Sequence, residues 1–125
     1  MRLLIVDDAA VMRTLLVRQL ASLGHQVVGA VADLASALEL AAEARPDAIL
    51  LDGRLGGCAG GEAIAALRAR APSSAIVVVG ALGERASLRA FIAAGAQAAL
   101  PRPPLLSHLR RVIATLGASQ GERGG

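Results

Sequence analysis

Lysine, tryptophan and tyrosine are missing from the 125 residues, and there is one phenylalanine and one cysteine. A single phenylalanine largely excludes a stacking platform for a base or a flavin. The core must instead be built from small aliphatic side chains in close-packed layers. Cys58 alone cannot close an internal disulfide, and with only two histidines it falls short of a zinc site, which fits a reducing cytoplasm. Lysine-free sequence rules out a GxxxxGK[ST] phosphate loop, and no GxGxxG follows the first apolar run. No apolar run approaches the roughly 18 residues that span a bilayer. The opening MRLLIVDD places two acids where an export signal would have to stay apolar. All 13 basic residues are arginine, against ten acids, for a net charge of +3. They are scattered from Arg2 to Arg123 without a run, so the phosphate-tracking stripe of a nucleic-acid binder is lacking.

What is present is apolar and periodic. Hydrophobic residues make up 54% of the chain, which excludes a disordered polymer, and the length suits one domain. Short apolar runs at Leu3 to Val6, Val27 to Val31, Ala48 to Leu51, Ile76 to Val79 and, weakly, Ala98 to Leu100 read as strands. Between them lie amphipathic stretches. The first spans Ala10 to Leu23 and stops at Gly24. The second is capped by Asp33 and runs to Ala44, before Pro46. A third holds Ile64 and Leu67. The fourth spans Glu84 to Ala94, with Leu88, Phe91 and Ile92 facing inward, and stops at Gly95. The last opens with Pro104 near its first turn and carries Leu105, Leu109, Val112, Ile113 and Leu116 up to Gly117. Five strand-then-helix units with strands apolar throughout predict a three-layer α/β/α sandwich around a parallel sheet. The domain is expected over residues 1–117, with 118–125 as a disordered tail or linker.

In an open parallel sheet the ligand crevice lies outside the carboxyl ends of the strands. Asp7 and Asp8 follow the first strand and Asp52 follows the third, so three of the five aspartates fall on one edge. Converging carboxylates repel one another unless a cation lies among them, and an all-oxygen set suits Mg²⁺ or Mn²⁺. Taken singly, each Asp is also an ordinary loop starter or helix cap. With a divalent ion present, a lone Asp can act as a nucleophile on a phosphoryl group, and Asp52 is the candidate because Asp7 and Asp8 can share the metal.

The stretches LLIVDDAAVMR, RPDAILLDGRLGGCAGG, AIVVVGA and GAQAALPRPP resemble, in order and spacing, the signature segments of response-regulator receiver domains, the CheY-like superfamily. The resemblance covers about Leu3 to Leu116. It implies a flavodoxin-like, five-stranded parallel sheet of order 2-1-3-4-5, Asp7 and Asp8 as the metal-binding acids, Asp52 as the phosphoacceptor, and the backbone carbonyl of Arg54 as a further Mg²⁺ ligand. It also implies a bacterial two-component phosphorelay, with a sensor histidine kinase or phosphotransfer protein as donor and a downstream protein as output partner. Catalysis would be limited to the domain's own phosphorylation and dephosphorylation. The family's Thr or Ser after strand four is Gly80 here, its strand-five aromatic is Ala99, and its Lys before a cis-proline is Arg102, followed by Pro103.

These departures support a second reading, in which Arg54 and Arg102 lay two guanidiniums across the carboxylates and close the site to metal. The chain would then be a pseudo-receiver, a phosphorylation-independent interaction module. A haloacid-dehalogenase-like phosphatase is disfavoured, because Asp7 and Asp8 are adjacent and lysine is absent. A flavodoxin is disfavoured by the lack of aromatics. The glycines Gly53, Gly56, Gly57, Gly60 and Gly61 read as loop freedom, Cys58 as an incidental thiol, His25 as a turn residue, and His108 and Asp47 as solvated. The resemblance implies a fourth-helix face that binds a partner or a second copy, but core packing accounts for most of the apolar residues there, Leu82, Leu88 and Phe91 with Ala99 and Leu100.

Overall fold

The computed structural model describes residues 1–55, 61–80 and 85–124, with the side chains of 85–88 and 118–124 left aside. Strands β1 (Arg2–Val6), β2 (Gln26–Val31), β3 (Ala48–Asp52), β4 (Ala75–Val79) and β5 (Ala98–Leu100) alternate with helices α1 (Ala10–Ser22), α2 (Leu34–Ala44), α3 (Glu62–Arg70), α4 (Arg85–Ala94) and α5 (Leu106–Gly124). All pairings are parallel and the strand order is β2-β1-β3-β4-β5, as expected for the flavodoxin-like arrangement. The central strand β3 is buried along its whole length, whereas the edge strand β2 is half covered. Burial on both faces is why the strands read as unbroken apolar runs rather than alternating ones.

Side chains alternate across each strand, so the sheet separates two cores. On one side Leu4, Ile49 and Val78 pack with Ala37 and Ala41 of α2, Ile64 and Leu67 of α3, and Phe91 of α4. On the other, Ile5, Leu50 and Val77 pack with Leu16 and Leu20 of α1 and with Leu109, Ile113 and Leu116 of α5. At Gly29 a side chain would run into Leu40, so this glycine lets α2 lie directly on β2. Gly24 and Gly95 stop α1 and α4 with φ of +84° and +118°, a conformation that costs glycine little. Asp33 caps α2, its carboxylate accepting the Ser36 N–H at 2.8 Å.

The structure departs from the sequence reading in four places. Helix α5 begins at Leu106, not at Pro104; Pro104 is buried before the helix and its carbonyl accepts the Gln19 side-chain N–H at 2.9 Å, tying the segment to α1. The same helix passes through Gly117 and continues to Gly124, where a disordered tail was expected. Glycine in a helix costs about 1 kcal/mol relative to alanine but leaves the hydrogen-bond ladder intact, and no proline follows. Ile92, expected to face inward, is 49% exposed, and Leu105 is 59% exposed. Asp47 and His108 are half-buried rather than solvated, and Asp47 accepts the Arg2 backbone N–H at 2.7 Å. Glu84, Leu82 and Cys58 lie outside the described residues, as do Gly56, Gly57 and Gly60, and the Leu88 side chain is likewise not described.

Candidate functional site

The carboxyl edge of the sheet is held by the ladder itself. The Asp7 N–H donates to the Val31 carbonyl at 3.0 Å, the Gly53 N–H to Val79 at 3.1 Å, and the Gly80 N–H to Leu100 at 2.8 Å. Each loop therefore leaves its strand from a fixed point. Asp52 is the last residue of β3 and pairs with Val79, so its side chain projects from rigid backbone. Asp7 follows β1 directly, and because β1 and β3 are neighbours the two ends meet.

Asp7, Asp8 and Asp52 each bring a carboxylate oxygen to within 4.8 Å of the others. Asp7 and Asp52 are buried, with 1% and 3% exposure, whereas Asp8 faces solvent. Asp7 Oδ1 accepts the Ala9 N–H at 2.9 Å, opening the turn into α1, and Asp52 Oδ1 accepts the Arg54 N–H at 2.8 Å. Burial pushes the Asp52 carboxyl above the usual carboxylate range. The Arg54 N–H opposes that shift, the Asp7 charge adds to it, Arg102 opposes it and Asp8 adds again.

Arg102, joined to Pro103 by a cis peptide bond, extends its guanidinium onto Asp7, with Nη2 2.9 Å from Oδ1 and Nε 3.3 Å from Oδ2. This two-point contact, together with the charges of Asp7, Asp52 and Asp8, raises the pKa of Arg102. The second guanidinium of the metal-free reading does not join it: Arg54 is exposed, and among the described residues only its backbone N–H reaches the cluster. Sequence reasoning missed Arg13, whose Nη1 donates to the Asp7 carbonyl at 2.8 Å. Its position in the first turn of α1, directly above the preceding loop, was the available signal. Gly80 is buried with φ +101°, and Ala99 is half-buried against the α2–α4 core. His25 stands apart from the site, its Nδ1 3.0 Å from the Met1 ammonium; burial and that charge lower its pKa.

The donor set fits a small, hard divalent cation. Oxygens on opposite sides of Mg²⁺ stand about 4.2 Å apart, twice a bond length near 2.1 Å, so oxygens spread over at most 4.8 Å need only modest closing. Three carboxylates less one guanidinium leave two negative charges, which such an ion would neutralise. No described helix is long and apolar enough to cross a membrane.

The profile of the response regulator receiver domain matches residues 3–114. The chain is 33% identical over 102 residues to the chemotaxis protein CheY of Thermotoga maritima, covering 82% of this chain and 85% of that one. It is 38% identical over 108 residues to protein-glutamate methylesterase/protein-glutamine glutaminase 5 of Myxococcus xanthus, covering 85% of this chain but 31% of the relative. Among solved structures, the receiver domain of a sensor histidine kinase from Pseudomonas aeruginosa PAO1 superposes with a TM-score of 0.80 at 30% identity, over 93% of this chain and 97% of that one; it holds a magnesium ion in its active-site cleft. The parallel β2-β1-β3-β4-β5 sheet, the acids at its carboxyl edge and these matches agree, and the chain belongs to the response regulator receiver domain family.

Proposed function

We propose that this receiver accepts a phosphoryl group on Asp52 in a reaction dependent on Mg²⁺, or Mn²⁺ in its place, and signals by protein contact. The observation that carries the reading is the approach of three carboxylates from the ends of two separate strands to within 4.8 Å, with the acceptor buried as the last residue of β3. Asp7, Asp8, Asp52 and the Arg54 backbone carbonyl are the residues that would hold the ion. When bound, it supplies positive charge that lets a carboxylate approach a phosphoryl group.

The residues of the chain do the rest. The Arg54 N–H fixes Asp52 Oδ1 and with it the plane of the carboxylate. An Asp52 oxygen attacks phosphorus of a phosphohistidine; the new O–P bond forms as the P–N bond breaks, and the electron pair leaves with the imidazole nitrogen, which takes up a proton. Hydrolysis later returns inorganic phosphate and the free carboxylate. Arg102 stands at the rim as the cation that can grip phosphoryl oxygens through a fork, in the position the family gives to lysine. Gly80 offers no hydroxyl to those oxygens, so readout of the modified state cannot pass through a side chain there.

A sensor histidine kinase or a phosphotransfer protein is the proposed donor, in the cytoplasm. A downstream protein, or a second copy of the chain, is the proposed output partner, with no direct contact to nucleic acid or membrane. The working unit is assigned to residues 1–117. The Arg102–Asp7 pair favours one alternative, a pseudo-receiver in which the guanidinium satisfies the acids without metal and the fold serves as a binding module.

Intact mass after incubation with acetyl phosphate and Mg²⁺ tests the assignment. The expected result is one added phosphoryl group on the wild type, none on Asp52→Asn, and none in chelator. A folded wild type that gains no mass would put the pseudo-receiver in its place.

A further inference from the structure

The Arg102 stem occupies the space beside Gly80 that a side chain there would need, which links two of the chain's departures from its family. A Cβ placed on Gly80 would lie 3.3 Å from Arg102 Cδ and 3.4 Å from Arg102 Cβ. Carbon pairs rest at about 3.5–4.0 Å, so a side chain here would press on the arginine stem. The φ of +101° at Gly80 also disfavours any L side chain. The methylenes of Arg102 thus cross the bare Cα of residue 80, and from there the guanidinium reaches Asp7 with two nitrogens. Asp7 is almost wholly buried, so its charge is screened by this partner far more than by water.

We propose that Gly80 seats Arg102 on Asp7 as a tethered counter-ion, and that the seated guanidinium competes with divalent cations for the acidic cluster, so that this pair sets the cation affinity of the site. The proposal rests on the metal reading above. A tethered cation cannot be diluted away. An incoming ion must therefore either displace it from Asp7 or bind Asp8 and Asp52 beside a fixed positive charge, and both routes weaken binding. Residue 80 acts only through residue 102, which makes it a positioning residue.

The test is a double-mutant cycle read by calorimetric titration with Mg²⁺ and by the Arg102 Nε–H resonance in NMR. Arg102→Met keeps an apolar stem over Gly80 and removes the charge; it is expected to tighten Mg²⁺ binding about tenfold. Gly80→Ala displaces the stem and is expected to tighten binding about threefold and to shift the Nε–H resonance. In the Arg102→Met background Gly80→Ala is expected to change nothing further. Wild type that fails to bind while Arg102→Met binds also supports the proposal, as a guanidinium that closes the site outright. Equal affinity of wild type and Arg102→Met overturns it and leaves the metal reading standing. An equal effect of Gly80→Ala with and without Arg102 overturns the seating role. No binding by either protein overturns this proposal and the metal reading together. If Gly80→Ala does not fold, nuclear Overhauser contacts between the Gly80 α-protons and the Arg102 methylenes in the wild type decide the seating role, their presence supporting it and their absence overturning it.

Discussion

Asp52 bears the electrostatic cost of the site. Its carboxylate is buried at the end of β3 beside two other acids, and the Arg54 N–H and Arg102 only partly offset that position. Its pKa in the folded protein therefore lies above its unfolded value. The folded state holds the proton more tightly, so stability falls as pH rises between the two values, and above the folded pKa the ionised group is a standing penalty. Asp52→Asn removes the charge and keeps Oδ1 to accept the Arg54 N–H. In chelator at neutral pH it is expected to melt about 4 °C above the wild type, the shift that roughly 1 kcal/mol produces in a domain of this size. The difference should close as the pH drops below the ordinary carboxylate range. Thermal melts across pH check this; a variant that melts lower than the wild type at neutral pH contradicts it.

Helix boundaries show where local chemistry governs and where packing takes over. Asp33 starts α2 because its carboxylate satisfies the Ser36 N–H, and Gly24 and Gly95 end α1 and α4 because they adopt positive φ. Helix α5 obeys neither signal. It starts two residues after Pro104, whose carbonyl is claimed by Gln19 of α1, and it runs through a glycine that the pattern marked as a stop. Among the residues whose side chains are described, those that anchor it, Leu109, Ile113 and Leu116, precede Gly117. Truncation after Gly117 is therefore expected to leave unfolding stability within about 0.5 kcal/mol of the full chain, the range of changes away from packed features. Urea denaturation measures it, and a larger loss would show that residues 118–125 contribute to the domain.

The sheet divides the molecule into two cores whose side chains come from adjacent positions of the same strands. Ile5 faces the α1–α5 side and Ile49 the α2–α4 side. Ile5→Val and Ile49→Val are each expected to cost about 1 kcal/mol, and the double variant their sum to within about 0.5 kcal/mol, because the groups removed share no partners across the sheet. A clear departure from additivity in denaturant titrations would mean that the two layers are coupled through the strands.

Much of this architecture was legible from the chain alone. Fully apolar strands announce a sheet covered on both faces, amphipathic runs announce its helices, and acids just past two strands announce a polar edge. These features follow from neighbouring residues, whose backbone sterics and burial period act over a few positions. Which acids meet is another matter: it depends on β1 and β3 being neighbours, and strand order is a property of the whole chain. So does the partner of Arg102, which lies 95 residues away in sequence. The alphabet of aliphatic, acidic and glycine residues thus specified the elements and the kind of chemistry at their ends. Long-range packing alone chose the guanidinium's target, let its stem cross Gly80, and turned Ile92 and Leu105 to solvent, because those outcomes depend on distances that no local pattern encodes.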